Sequence, residues 1–448
     1  MGLFDRLRGD GNPRVAFFGI DGVPYSLIAD HRDEFENLAA LEAEGSGGAI
    51  DSIVPPESSA CWPSLTTGVN PGATGVYGFQ DREVGSYETY VPMGRDVQAT
   101  RLWDRVDGAG REATVMNVPV TFPPQENVQR MVSGFLSPGV DRAAEPERLR
   151  ASLDEIGYRI DVNAKLGHDE DKTEFIEDAH ETLDARYEAF RHYVQADDWD
   201  LLFGVFMTTD RVNHFLFEDY ERNGEYRAEF LEFYRKVDRY LGALREALAD
   251  DVTMVVASDH GFTTLDCEVH LNEWLRREGW LEFEDDDHEE LGDIAEETRA
   301  YSLIPGRFYI NLEGREPRGS VPQDEYESVR AELREQLESL EGPDGRPVAD
   351  RVETSEAIFR GDHDDIAPDL TVVPTHGFDL KAGFTGSEEV FDVGPRNGMH
   401  SFDDACLFVD DPDVRISDAD LYDIAPTLLD LLDLQVDRTE FDGSSLVT

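Results

Sequence analysis

The sequence places carboxylate and imidazole side chains directly after stretches that are expected to form buried strands. The clearest case is V-A-S-D-H-G-F at 256–262, where Asp259 and His260 follow the apolar, β-prone run 252–257. A carboxylate and an imidazole side by side at the end of a buried strand cost free energy unless something compensates them, and a metal ion does so. A polar strand end with a satisfied hydrogen bond is the alternative, and this motif alone does not decide between the two.

Two further strand ends carry residues of the same kind. Asp21 follows the predicted strand 14–20, and the motif T-D-R-V-N-H, with Asp210 and His214, follows the predicted strand 200–207. If a helix begins near residue 210, Asp210 and His214 lie on one helix face and can share a metal ion, although a helix-capping Asp beside a satisfied His would look the same. Because α/β sheets place ligands at the carboxyl ends of their strands, we expect these residues to meet.

Two adjacent serines supply a candidate nucleophile. Ser58 and Ser59 lie within P-P-E-S-S-A-C-W-P-S-L-T-T-G at 55–68, ahead of a helix that is predicted to run from Pro63 to Thr67 and to end at Gly68. A hydroxyl just before a helix N-terminus lies among unpaired backbone N–H groups, which suits a nucleophile that must bind phosphate. An N-cap role is the commoner one for such a serine.

A seventh candidate lies in a glycine-rich loop near the end of the chain. His400 is part of G-P-R-N-G-M-H-S-F-D-D at 394–404, where two glycines precede it and indicate a backbone shaped around a ligand. Asn117 ends the predicted strand 113–119 and could hold a ligand oxygen, although an Asn before a turn more often bonds its own backbone.

Together these positions form a candidate metal site of three carboxylates, three imidazoles and one hydroxyl: Asp21, Ser58, Asp210, His214, Asp259, His260 and His400. Mixed nitrogen and oxygen ligands suit Zn²⁺ or Mn²⁺ better than Ca²⁺ or Mg²⁺. Seven ligands are too many for one tetrahedral ion and suit two. Two ions about 4 Å apart clamp the attacking and leaving oxygens of an in-line phosphoryl transfer. Coordination also lowers the pKa of a serine hydroxyl, so Ser58 would be the nucleophile.

This order of motifs resembles that of the alkaline phosphatase superfamily and is most similar to its type I phosphodiesterase/nucleotide pyrophosphatase branch. The resemblance covers most of the chain and extends to N-V-P at 117–119, A-P-D-L at 367–370 and D-I-A-P-T-L-L at 423–429. It implies that one metal ion is held by Asp21, Ser58, Asp259 and His260, and the other by Asp210, His214 and His400. It also implies hydrolysis of a phosphoester, in the first place a phosphodiester, with zinc as the expected metal and manganese as the alternative.

Two positions depart from the family pattern. The family usually has Pro two residues after the nucleophile, whereas this chain has Ala60, so Ser59 remains a rival to Ser58. The nucleotide pyrophosphatases hold the phosphoryl oxygen with an Asn that V-Y-G-F-Q-D at 76–81 lacks. We assign Gln80 to that position and, with Asn117, to substrate binding. The missing Asn weakens a nucleotide substrate more than it weakens membership of the superfamily.

Three other functions stay open. A phosphomonoesterase or a phosphomutase of the same superfamily would share the metal core. A sulfatase is suggested by C-W-P-S at 61–64, but Leu65 stands where the sulfatase motif requires Arg, so Cys61 is interpreted as a packing residue. A catalytically inactive metal-binding scaffold is the alternative outside enzymes, and the complete ligand set argues against it.

The composition limits the partners. The 448 residues include 97 acidic and 40 basic side chains, a formal net charge of −57 that is spread along the whole chain. Such a surface is typical of a halophile's protein and repels nucleic acid and anionic membranes, so we expect a small-molecule substrate. Three cysteines are too few for a disulfide framework and indicate a reducing cytoplasm. No apolar run reaches the roughly 20 residues of a membrane-spanning helix. The oligomeric state stays open.

The predicted fold class is α/β. Apolar strands alternate with helical stretches, and the resemblance specifies an alkaline-phosphatase-like three-layer sandwich with a mostly parallel sheet between helices. We expect the catalytic core to comprise residues 1–264 and 361–448. Residues 265–360 are expected to form an inserted α/β cap that contacts the substrate.

Overall fold

The computed structural model describes residues 12–196, 198–284, 290–382 and 389–448, and these build an eight-stranded central sheet. Five neighbouring strands run parallel, and one strand inside the sheet and one at its edge run antiparallel to their neighbours. The predicted mostly parallel sheet is therefore confirmed. The strand order across the sheet is Ser46–Ile50, Ala405–Val409, Val252–Ala257, Arg14–Ile20, Leu201–Phe206, Ala113–Val118, Arg130–Ser133 and Ala144–Glu145.

The central strands are apolar on both faces because both faces are covered. In Arg14–Ile20, Ala16 and Phe18 belong to one hydrophobic core, and Val15 and Phe17 belong to the other. Phe17 stacks on Phe203 of the neighbouring strand, with 4.1 Å between ring centroids. A strand buried on two sides needs apolar residues at every position, which is why these runs do not alternate with polar residues.

Helices form the outer two layers of the sandwich. The core that contains Phe18 is covered by Tyr25–Asp30, Glu36–Glu44, Glu147–Ile156, Thr173–Val194, Thr208–Arg222 and Arg227–Ala247. The opposite core, which contains Phe17, is covered by Ser58–Thr67, Leu102–Gly108 and Ile424–Leu431. Among the described residues no helix is both apolar enough and long enough to cross a bilayer. Cys61, Cys267 and Cys406 are buried, and none forms a disulfide.

A second, smaller unit is inserted between two short antiparallel strands, Gly261–Thr264 and Gly398–Ser401. Its core is separate from the two cores of the central sheet. Its four-stranded sheet has the order Ala300–Leu303, Arg307–Ile310, Leu370–Pro374 and Ala349–Thr354, and its three-stranded sheet has the order Phe378–Lys381, Cys267–His270 and Phe391–Asp392. Its helices are Leu271–Arg277, Tyr326–Glu338 and Ser355–Ile358.

The strand pairing indicates that this unit extends beyond residue 360, which the sequence analysis predicted as the end of the insertion. Leu370–Pro374 pairs with Arg307–Ile310 and Ala349–Thr354, and Phe378–Lys381 pairs with Cys267–His270. We therefore infer that the cap comprises residues 265–397 and that the core resumes at Gly398. The run 369–374 is apolar and β-prone in either position, so its pattern does not specify which sheet it joins.

Two buried ion pairs fasten a segment of the core to the cap. Asp81 and Arg82 form a short ladder with Thr89–Tyr90, and their side chains extend into the cap. Asp81 pairs with Arg307, and Arg82 pairs with Glu316 at 2.8 Å, all four side chains being at most 2% exposed. Burial raises the pKa of the Asp81 carboxyl even beside Arg307, so the pairing only partly offsets the cost of desolvation.

Removing one partner of the first pair should destabilise the protein. In Asp81→Asn, Arg307 stays buried without its carboxylate, and we expect the free energy of unfolding to fall by about 3–5 kcal/mol. Urea unfolding measures the change. Glu338→Gln is the matched control, because Glu338 pairs with Arg334 at 2.8 Å on an exposed helix surface and should change stability little. Equal urea midpoints for the two variants would contradict the structural role of the buried pair.

One helix of the cap shows how acidic residues occupy the solvent side of an amphipathic element. Helix Tyr326–Glu338 buries Val329, Leu333 and Leu337, whereas its glutamates at 327, 332, 335 and 338 are exposed. With a formal net charge of −57, such surfaces repel one another at low salt.

We expect the thermal unfolding midpoint to rise as salt increases from about 0.1 M to about 1 M, because the screening length falls from about 10 Å to about 3 Å. Circular dichroism at several KCl concentrations measures this dependence. Sucrose is the control, because it favours the compact state without screening charge. A midpoint that is flat or falls with KCl would contradict a charge-limited stability.

Candidate active site

The seven predicted metal-site residues meet at one edge of the central sheet. Asp21, the Asp210–His214 pair and the Asp259–His260 pair follow three strands that are neighbours in the sheet, Arg14–Ile20, Leu201–Phe206 and Val252–Ala257. Ser58 comes from the start of helix Ser58–Thr67, and His400 from the return strand Gly398–Ser401. All are buried except His400, which is half-buried.

Four of these residues form the first of the two predicted ligand sets. The Ser58 Oγ lies 3.1 Å from His260 Nε2 and 3.3 Å from Asp21 Oδ1. His260 Nε2 lies 3.5 Å from Asp259 Oδ2 and 3.7 Å from Asp21 Oδ1. A single cation can therefore be reached by all four side chains.

The second predicted set is equally close. His400 Nε2 lies 3.2 Å from Asp210 Oδ1 and 3.1 Å from His214 Nε2, and His214 Nε2 lies 3.4 Å from Asp210 Oδ1. The rings of His260 and His400 stack with 3.8 Å between their centroids, so the two sets adjoin. One donor atom from each of Asp210, His260 and His400 also falls within 4.8 Å of the others.

The three imidazoles share one orientation. In each of them Nδ1 lies beside a main-chain carbonyl oxygen: His260 beside Gly261 at 2.9 Å, His400 beside Pro56 at 2.9 Å and His214 beside Gly398 at 3.1 Å. A carbonyl oxygen only accepts, so Nδ1 carries the hydrogen and Nε2 keeps a lone pair. Nε2 atoms arranged in this way suit a cation between them, and this tautomer is the one that metal-ligating histidines adopt.

The carboxylates are held from behind. Trp62 Nε1 donates to Asp21 Oδ2 at 2.7 Å, the Gly22 backbone N–H donates to Asp259 Oδ1 at 3.1 Å, and Arg211 donates to Asp210 Oδ2 at 3.1 Å. Asp259 Oδ2 is buried and has no hydrogen-bond partner among the described residues. A buried carboxylate oxygen without a hydrogen-bond partner, 3.5 Å from His260 Nε2, fits a ligand of a divalent cation.

The electrostatics of the pocket also call for positive charge. Burial, and then the charges of Asp259 and Asp210, hold the pKa of Asp21 well above its usual value. Burial raises the pKa of Asp259 to about 7 and lowers the pKa of His260 to about 3. Burial also acts to raise the pKa of Asp210, but the nearby His214, His400 and Arg211 hold it well below its usual value. Burial acts to lower the pKa of His400, but its hydrogen bond to Asp210 and the nearby carboxylate charges raise it. Added positive charge would therefore favour the ionised forms of Asp21 and Asp259, whose pKa values are raised.

The helix that presents the serines begins earlier than predicted. It starts at Ser58 rather than at Pro63, which lies inside it, and it ends at Gly68 with the expected left-handed backbone at φ 72°. The proline removes one helical hydrogen bond, but all ten residues of the helix are buried, and this packing stabilises the helix. The Ser58 hydroxyl contacts Asp21 and His260 and caps no backbone N–H, so the N-cap interpretation is wrong.

The two residues assigned to substrate binding lie apart from the cluster. Asn117 is fully buried, donates weakly to the Val205 carbonyl at 3.4 Å and accepts from the Tyr158 hydroxyl at 3.2 Å. Gln80 donates to the hydroxyl of Thr89. Neither side chain lines the cavity described next, and their role in substrate binding stays a prediction.

A cavity of about 280 Å³ lies over the cluster, between core and cap. The core contributes Ser58, Ser59, Phe79, Phe135, Asp210, Arg211, His214 and His400, and the cap contributes Ile304, Pro305, Val372, Asp379, Leu380, Lys381 and Arg396. Sequence analysis did not identify these cap residues, because they lie far along the chain from the core motifs and only the folded cap brings them to the site. Arg211 was missed although it lies inside T-D-R-V-N-H, where its proximity to Asp210 was the available signal.

Comparisons with known proteins agree with this geometry. Among solved structures, phosphonoacetate hydrolase from Sinorhizobium meliloti 1021, in complex with phosphonoacetate, is similar with a TM-score of 0.61 at 15% identity, over 94% of this chain and 96% of that one. Murine ectonucleotide pyrophosphatase/phosphodiesterase 5 gives 0.56 at 14% identity, over 96% and 97%. The alkaline phosphatase PafA gives 0.59 at 12% identity, over 98% and 99%. These similarities confirm the alkaline-phosphatase-like fold.

Comparison of the sequence with curated proteins gave no match. Residues 15–403 match the family described as type I phosphodiesterase / nucleotide pyrophosphatase. Because that match spans most of the chain, the protein belongs to this family and is a hydrolase of phosphoester bonds.

Proposed function

We propose that the chain is a metal-dependent phosphodiesterase whose seven-residue cluster holds two divalent cations, zinc in the first place and manganese as the alternative. The observation that carries this proposal is the convergence of three imidazole Nε2 atoms on three buried carboxylates and the Ser58 hydroxyl. When bound, the cations supply positive charge that balances the carboxylates, acidifies a hydroxyl and stabilises charge on phosphoryl oxygens.

Ser58 is the proposed nucleophile. Its proton passes to Asp21 and from there to solvent, Oγ forms the new bond to phosphorus, and the bond from phosphorus to the leaving oxygen breaks as that oxygen takes up a proton from solvent. Water then attacks phosphorus, the Oγ–phosphorus bond breaks, and a proton from the water returns to the Ser58 oxygen. Asp21 Oδ1 at 3.3 Å accepts the Ser58 hydrogen bond and so orients the hydroxyl. Ser59 also lines the cavity, but its hydroxyl makes no hydrogen bond to the cluster in the described structure.

Arg211 is a positioning residue for Asp210. Its guanidinium donates to Asp210 at 3.1 Å and is itself held by Asp161 at 2.9 Å. This chain of charge-assisted hydrogen bonds fixes the orientation of a ligand carboxylate, as outer groups do at other metal sites.

The cavity favours a diester over the alternatives. Phe79 and Phe135 on the core side, and Ile304 and Leu380 on the cap side, give apolar surface to two organic substituents. The sulfatase alternative is disfavoured, because Cys61 is fully buried, lies 3.4 Å from the Ser52 hydroxyl and has its thiol pKa raised well above the usual value by burial.

The net charge of the chain bears on the substrate class, and its free cysteines bear on the location. We propose a small-molecule phosphoester rather than a nucleic acid, because a chain with a net charge of −57 repels a polyanion. We propose the reducing cytoplasm as the location, because all three cysteines are buried free thiols.

Replacement of the nucleophile should abolish turnover. In molar salt with Zn²⁺ or Mn²⁺, we expect wild type to hydrolyse bis(p-nitrophenyl) phosphate and the p-nitrophenyl ester of thymidine monophosphate faster than p-nitrophenyl phosphate. Ser58→Ala should lower kcat by more than about 1,000-fold, because no other hydroxyl in the described part of the chain contacts both Asp21 and His260. Release of p-nitrophenol measures the rate.

Ser59→Ala is the matched control, since it removes the adjacent hydroxyl of the same cavity and should keep most of the activity. Loss of activity in Ser59→Ala with retention in Ser58→Ala would assign the nucleophile to Ser59. A preference for the monoester would favour the phosphatase or mutase alternative. If metal-loaded wild type turned over none of these esters, the catalytically inactive scaffold would be the remaining alternative.

Metal content tests the ligand sets without activity. Metal analysis of the loaded, dialysed wild type should give two ions per chain. Asp259→Asn should retain fewer, because the amide neither balances the charge nor replaces the unpartnered carboxylate oxygen. Asp238→Asn is the control, since Asp238 is buried elsewhere in the core, where its carboxylate accepts from Asn37 and Leu38. Equal metal content in the two variants would contradict the proposed ligand set.

A further inference from the structure

The cap contributes two cations to the cavity wall, and they differ in how they are paired. Lys381 hydrogen-bonds to Asp379 and lies 3.7 Å from Glu268, so carboxylates already balance its charge. Arg396 makes no hydrogen bond or ion pair with any residue for which the structure gives contacts. Its guanidinium therefore keeps its donors for a ligand.

Of the two arginines that line the cavity among the described residues, Arg396 is the one without an ion pair. Acidic residues outnumber basic ones by 97 to 40, and the other arginine of the cavity, Arg211, is bound by both Asp161 and Asp210. Arg396 is half-buried, and the Asp379 carboxylate that acts on it electrostatically hydrogen-bonds to Lys381 instead, so Arg396 loses part of its hydration without a hydrogen-bonded carboxylate. Such a guanidinium presents a planar fork of donors that matches a carboxylate or a phosphate.

The backbone fixes Arg396 beside the catalytic cluster. The N–H of the next residue, Asn397, donates to the carbonyl oxygen of His214 at 2.9 Å, and the return strand that carries His400 begins at Gly398. Arg396 and His214 also act on each other electrostatically. Burial lowers the pKa of His214 most, and the charge of Arg396 lowers it further.

Building on the proposed phosphodiesterase function, we propose that Arg396 binds a second anionic group, a carboxylate or a phosphate, on the substituent that lies under the cap. The substrate class is then a phosphodiester with one anionic arm. The protein's net charge repels such a molecule at long range, and in molar salt the screening length is only about 3 Å. Recognition of the anion therefore requires a direct contact, which Arg396 provides.

Two esters that differ by one charge test this inference: p-nitrophenyl 2-carboxyethyl phosphate and its 2-carbamoylethyl analogue. We expect metal-loaded wild type to favour the carboxylate ester through a lower KM. Arg396→Gln should raise the ratio of the KM of the carboxylate ester to that of the carbamoyl ester about tenfold, since only the anionic arm loses a charge-assisted contact. Arg396→Lys should recover part of the difference. A metal content equal to that of wild type shows that the variants are folded and loaded.

Arg415→Gln is the matched control, because it removes the same charge from an exposed position outside the cavity lining and should leave both KM values unchanged. An equal effect of Arg396→Gln on the two esters, or no effect on either, would overturn the role of Arg396 while leaving the phosphodiesterase intact. Turnover of neither ester by loaded wild type would instead overturn the proposed function and, with it, this substrate class.

Discussion

Three carboxylates buried in one pocket must be balanced by positive charge, and the architecture of the core follows from that constraint. Asp21, Asp210 and Asp259 are at most 1% exposed, and they lie together because the strands that precede them are parallel neighbours. An isolated ionised carboxylate in such surroundings would neutralise itself by taking up a proton. The surrounding groups keep the pocket ready for cations instead: backbone and indole N–H groups hold the outer carboxylate oxygens, and carbonyls fix the tautomer of each histidine.

A feature of the fold or the site could be predicted from the sequence where it depends on neighbouring residues, and not where it depends on tertiary packing. Asp21, Asp210 and Asp259 were predictable, because each follows an apolar run and parallel strands end at the same edge of a sheet. Their convergence with Ser58 is a geometric consequence of that rule. The start of the helix at Ser58 was not predictable in the same way, because a proline usually marks a first turn and the packing that stabilises Pro63 inside the helix is tertiary. The sheet that Leu370–Pro374 joins was not predictable either, because its apolar pattern fits both sheets. The position of Arg396 was not predictable, because it depends on how the whole inserted cap folds before the chain re-enters the core.

The cap is anchored by charge as well as by apolar contact. Arg307 and Arg82 extend between the two units to Asp81 and Glu316. Within the core, the buried Arg186 donates to the carbonyl of Val205 in a central strand. A buried pair of this kind adds little net stability, but a shifted arrangement would leave a charge unpaired. We therefore interpret these pairs as fixing the position of the cap over the cluster, which an apolar interface alone would define less sharply. That position determines where Arg396 stands relative to His214 and the rest of the cluster.

The departure from the family pattern near Gln80 has a physical counterpart in the cavity. Gln80 is engaged with Thr89, and the backbone N–H of its neighbour Phe79 is held by Glu57 at 2.8 Å, so this wall presents an aromatic ring instead of an amide. Phe135 lies beside that ring, with 6.1 Å between centroids. The opposite wall, from the cap, carries the unpaired guanidinium of Arg396. A diester with two different arms therefore meets an apolar surface on one side and a cation on the other, and the orientation that places the anionic arm under the cap is favoured. Under the proposed function, the metal cluster defines the bond that is broken, and the asymmetry of the walls selects which alcohol leaves.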